Sequence, residues 1–102
     1  MTMAFDEKTF VPDKNTNWDL ISLECNLSEE FMEKYSNRIY WTYISLRQKM
    51  SKKFAIKFRA YINLDRFRFN ENIPKETYNA VAVHFDDNYY YEFIEKIEDR
   101  LL

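Results

Sequence analysis

"NWDLIS" at residues 17–22 is answered by "YWTYIS" at 40–45. In each, tryptophan is followed three residues later by isoleucine and then by serine, and the copies lie 23 residues apart. Sliding the chain by that interval brings apolar residues into register three times. Trp18 falls on Trp41 and Leu64, Ile21 on Ile44 and Phe67, and Leu23 on Leu46 and Phe69. Leu27 meets Met50 and Ile73; Phe31 meets Phe54 and Thr77; Tyr35 meets Phe58 and Val81; Ile39 meets Ile62 and Phe85. Only Thr77 is polar, with Tyr78 beside it as a substitute. At 46% hydrophobic content, chance does not produce agreement on this scale. The expectation is three tandem units, 17–39, 40–62 and 63–85.

Within a unit the spacing predicts two helices. Trp18 and Ile21 share one face of a short helix. Phe31, Tyr35 and Ile39 advance in fours along a second. Ser28 and Ser51 sit where an N-cap is needed, and Pro74 suits the same place in the third unit. Glu29 and Glu30 follow in the first turn, where the helix dipole favours acids. Leu27 and Met32 are placed to form a hydrophobic staple. At the C-terminus, "EFIEKIEDRL" (92–101) aligns without gaps on "EFMEKYSNRI" (30–39), which predicts a lone capping helix over 86–102. Its inward residues are Tyr90, Ile94, Ile97 and Leu101, with a polar outer face as a terminal unit needs. Residues 1–16 read as an extension or degraded half-repeat, with a helix starting after Asp6 and ended by Pro12. The predicted fold is all-α: a short α-solenoid-like stack of helix-turn-helix repeats closed by that helix.

The stretch "NWDLISLECNLSEEFMEKYSNRIYWTYIS" resembles the short tandem helical repeats, Trp-x-x-Ile-Ser then Leu-Ser-x-Glu-Phe-x-Glu-Lys-Tyr, of bacteriophage and large DNA virus proteins. The resemblance is close over 17–62, looser over 63–85, and returns at 92–101. It implies a helical repeat protein of viral origin that binds other macromolecules, and it brings no catalytic residue.

Composition narrows the function classes. One domain is expected from 102 residues, with enough buried surface for an independent core. The lone Cys25 has no intramolecular disulfide partner and fits a reducing interior. No signal peptide or membrane-length apolar run is present, so the expected location is the cytoplasm of a host cell. The chain contains no glycine, which removes the phosphate-binding and dinucleotide-binding loops.

Neither an enzyme, a cofactor nor a metal is expected. His84 is the only histidine, and beside Val83 and Phe85 it reads as structural. One Cys and one His, 59 positions apart, give no zinc-ligand spacing. Cys25 has Glu24 for a neighbour rather than a cation that would activate it. Glu29–Glu30 and Asp86–Asp87 read as helix-start charges, and "NYYYEF" (88–93) as core and rim rather than a base-stacking platform.

Charge is the informative feature. Residues 1–46 carry a net −4, residues 47–68 a net +7, and residues 69–102 a net −5. Arg47, Lys49, Lys52, Lys53, Lys57, Arg59, Arg66 and Arg68 therefore form a basic island between acidic ends. With Phe54, Phe58 and Tyr61 inward, Lys53 and Lys57 share one flank, and Lys52 and Arg59 the other. Ile56 is expected to point outward between them, where the matching positions hold Glu33 and Asn79. An apolar residue framed by cations favours a protein contact over a phosphate track. A solvated face, a homodimer and a nucleic-acid-binding module using 47–68 are the competing readings. The expectation is a small phage-type accessory protein that engages and modulates a host protein, such as a defence nuclease, through its middle unit.

Overall fold

Four of the six described helices begin where a short polar side chain takes an orphan amide. The computed structural model describes residues 5–83, and within them the chain is all-helical. Asn17 opens α1 (Trp18–Glu24), its side-chain oxygen accepting from the Leu20 amide at 3.0 Å. Ser28 opens α2 (Glu29–Lys34), accepting from the Phe31 amide at 3.1 Å. Tyr40 precedes α3 (Trp41–Arg47) without a side-chain cap. Ser51 opens α4 (Lys52–Lys57) just as Ser28 opens α2, with the Phe54 amide at 3.1 Å. Asn63 opens α5 (Leu64–Phe67), and Pro74 precedes α6 (75–83), where its missing N–H is no loss. The expected capping helix over 86–102, His84, Asp86–Asp87 and the 88–93 tyrosines lie outside the described residues.

Two expectations about local structure are corrected. α2 and α4 stop a residue short of Tyr35 and Phe58, which are C-caps rather than mid-helix positions. The Arg38 and Ile39 amides both return to the Tyr35 carbonyl, so the chain turns there. Ile39 and Ile62 reach the core from these turns, and their burial outweighs the four-residue periodicity. Secondly, 5–16 contains turns and no helix. The Asp6 carboxylate takes the Lys8 amide at 2.9 Å and the Asp6 carbonyl takes the Thr9 amide, closing a single turn instead of starting a helix.

That segment nevertheless covers one end of the core. Phe10 lies edge-on to Trp18, Phe31 and Tyr35 with ring centroids 5.3 to 5.6 Å apart, and Phe5 meets Phe31 at 5.3 Å. A second cluster has Trp41 stacked on Phe54, Phe58 and Tyr61. Tyr61 was expected inward; it lies at the edge of the stack and is 51% exposed. Ile21, Met32, Ile44, Met50, Ala55 and Phe67 are buried in the same core.

α1 packs against α3, and α3 against α5. Polar bonds reinforce both contacts. Ser22 Oγ donates to the Trp18 carbonyl at 2.7 Å and accepts from the Tyr40 amide at 2.8 Å. Ser45 Oγ donates to the Trp41 carbonyl at 2.6 Å and accepts from the Asn63 amide at 2.9 Å. The Gln48 amide group donates to the Ser22 and Cys25 carbonyls, and its oxygen accepts from the Leu27 amide at 3.0 Å. Asn70 donates in the same way to the Ser45 and Gln48 carbonyls, both at 2.9 Å. These four side chains are buried and close the polar gaps between α1, α3 and α5.

Candidate functional site

The basic island divides once its side chains are placed. Lys57 bonds the Glu33 carboxylate and lies 5.6 Å from the Phe58 ring centre. Lys52 lies 3.5 Å from the Glu76 carboxylate. Arg59 is partly buried and donates to the Ile56 carbonyl at 2.9 Å, which makes it a local brace. Arg68 sits 5.0 Å from the ring centre of Phe69, which is 63% exposed. Arg47, Lys49, Lys53 and Arg66 are exposed, and among the described residues no carboxylate lies within 4.0 Å of them.

Ile56 is a correction. It is partly buried and packs against the core instead of standing out between cations. Where α4 gives way to the turn after Phe58, the Arg59 amide and guanidinium both reach the Ile56 carbonyl. No exposed isoleucine marks a contact at this place.

Two concave surfaces adjoin the island. A small one of about 250 Å³ lies between α2 and α4, lined by Glu29, Glu30, Glu33, Lys53, Phe54 and Lys57. Its charges are of both signs, and Lys57 and Glu33 pair across it. A larger groove of about 1110 Å³ runs along the loops that precede α2, α4 and α6. Arg47, Lys49 and Lys52 line it, with Leu27, Met50 and Pro74 as its apolar part. Glu7 and Glu29 line it too, but each is engaged. Glu7 takes the Ser28 amide at 2.6 Å and the Ser28 hydroxyl; Glu29 takes the Ser51 amide at 2.6 Å and the Ser51 hydroxyl at 3.1 Å. The third loop differs: Lys52 stands where Glu29 stands one unit earlier, and Pro74 where Ser51 stands. Proline has neither an N–H nor a hydroxyl for a carboxylate to accept, and the lysine turns to Glu76 instead.

The groove thus gathers three of the expected residues, Arg47, Lys49 and Lys52. Lys53 and Lys57 belong to the smaller depression, and Arg66 and Arg68 line neither. Thr77 and Asn72 also line the groove and were not singled out as site residues. Thr77 had one visible sign, its polarity in a register of apolar residues. Asn72 had none, since its bond to the Arg47 carbonyl at 2.6 Å spans 25 residues.

Cys25 is buried, and burial followed by the Glu24 charge pushes its thiol up from the ordinary value, away from nucleophile chemistry. Among the described residues no three acidic, His or Cys side chains gather as a metal would require, and no helix is long and apolar enough to cross a membrane. Compared with known proteins, the chain matches no family model, no curated protein and no solved structure.

Proposed function

We propose that the chain is a short stack of helix-pair repeats, 17–39, 40–62 and 63–85, that works by binding another protein through its middle unit. Recurrence of bonds supports the repeat reading: what Ser22, Ser28 and Gln48 do, Ser45, Ser51 and Asn70 do again 22 or 23 residues later. One observation carries the binding reading. Exposed cations without a carboxylate, Arg47 and Lys49, edge a groove that also has an apolar lining. Mixed polar and apolar surface of this kind suits a protein partner. The resemblance to viral repeats directs the search to a host protein, with modulation or inhibition as the outcome.

Nucleic acid is the second reading, favoured only by the number of cations in 47–68. Two of those cations are answered by Glu33 and Glu76, and a third is a backbone brace. Tagged protein used to capture partners from a bacterial lysate, with and without nuclease, separates the two. A single host protein retained after nuclease supports the first reading. Capture that disappears with nuclease and falls steeply with salt transfers support to the second.

A further inference from the structure

The large groove contains two donors that the protein leaves open. Thr77 stands in the register of Phe31 and Phe54, whose rings fill the core beside Trp18 and Trp41. Thr77 lines the groove, and its hydroxyl makes no hydrogen bond among the described residues and is left open to the groove's solvent. The Met50 amide is the second. One unit earlier, the matching Leu27 amide donates to the Gln48 side-chain oxygen. Asn70 holds Gln48's place here but is one methylene shorter. Its oxygen accepts from the nearby Asn72 amide at 2.8 Å instead, so Met50 has no acceptor among the described residues. A donor open to the groove gains a charge-assisted bond from an incoming anionic acceptor.

Charge says which acceptor. Arg47, Lys49 and Lys52 line the same groove, while the carboxylates of Glu7 and Glu29 are already held by Ser28 and Ser51. We infer that the groove receives an acidic, extended peptide segment of the partner, its carboxylates taken by the Met50 amide, the Thr77 hydroxyl and the surrounding cations. Leu27, Met50 and Pro74 would receive the apolar residues between those acids. A nucleic-acid backbone is disfavoured because its continuous row of phosphates would leave the apolar lining at Leu27, Met50 and Pro74 unused. This inference deepens the protein-binding reading and rests on it.

The test uses the full chain and a fluorescent peptide alternating aspartate with leucine, with asparagine replacing aspartate in the control peptide. Anisotropy should show saturable binding to the first, and about tenfold weaker binding to the control, as lost charge-assisted hydrogen bonds require. Asn70→Gln restores an acceptor to the Met50 amide and should weaken binding by a similar factor without loss of helicity. Lys49→Glu, a surface change that does not threaten folding, should do the same, while Lys53→Glu should leave binding unchanged. Equal binding of both peptides, or equal affinity in Asn70→Gln, Lys49→Glu and wild type, overturns the inference. So does binding of inorganic polyphosphate with no aspartate-peptide binding, or self-association in its place. A lysate partner that is lost in Lys53→Glu but kept in Lys49→Glu would remove the groove while leaving the protein-binding reading intact.

Discussion

Ser22 and Ser45 are small residues with a large share in the architecture. Each hydroxyl bonds back to the carbonyl four residues earlier in its own helix and receives the amide of the residue preceding the helix it packs against, α3 for Ser22 and α5 for Ser45. Ser45→Ala removes that acceptor and leaves the Asn63 amide without one in a partly buried position. Urea denaturation should register a loss of about 1–3 kcal/mol. Ser45→Thr keeps a hydroxyl and tests whether the added methyl is tolerated beside Asn63. Cys25 supplies a second residue-scale prediction. Its raised folded pKa means that the native state holds the thiol proton more tightly than the unfolded state does. The associated stability is fully present below the unfolded thiol pKa and declines as pH rises through the folded one. A disulfide reagent at neutral pH should therefore label Cys25 slowly, and quickly once urea is added. Fast labelling of the native protein would contradict the burial.

At the scale of elements, α2 and α4 are opened by the same device: a serine whose oxygen caps its own helix while its amide and hydroxyl go to a glutamate of the preceding segment. Glu29→Gln and Ser51→Ala should each destabilise by about 1 kcal/mol, and the double variant by less than their sum, because they break one network. Lys52→Ala should cost little, since its pair with Glu76 is exposed. Much of this layer was legible in the sequence. Caps at Ser28 and Ser51 and much of the apolar register announce themselves through spacing, although Phe69, in the register of Leu23 and Leu46, is exposed. Helix length did not, because Tyr35 and Phe58 continue the stripe while the backbone has already turned. Tyr61 lies beyond the end of α4 at Lys57, where helical phase no longer applies, whereas Ile56 is inside the helix and is drawn in by packing against the core. Gln48 and Asn70 left no signal, because their partners lie more than twenty residues away and a polar residue at the end of a helix usually faces water. The groove was half visible, through its cations and through Thr77, and half hidden, since its open donors depend on the length of Asn70.

For the molecule as a whole, the segment 5–16 takes the place that a helix would occupy, lending two rings to the first aromatic cluster and a carboxylate to Ser28. Phe10→Ala should lower stability by about 2 kcal/mol and expose Trp18, which a red shift in its fluorescence would report. Glu7→Gln should have a smaller effect, confined to α2, visible as faster amide exchange at Phe31 than at Phe54. Equal exchange at the two sites would show that the cap does not need its glutamate.

The hydroxyl bonds of Ser22 and Ser45 also bear on how such a chain can grow. The second and third blocks each begin with an amide to be received, and the first and second each carry a serine that receives it, so an in-frame duplication of 40–62 leaves Ser22, Ser45 and these amides all matched. With Lys52→Glu in the upstream copy to serve the added Ser51, the lengthened protein should fold cooperatively and melt higher than the parent. An insertion of the same block lacking its last three residues should not. Arg68 occupies the place of Ser22 and Ser45 in the third block and has no hydroxyl to offer. A copy added after that point would find no socket, so lengthening is open in the middle of the chain and closed beyond α5.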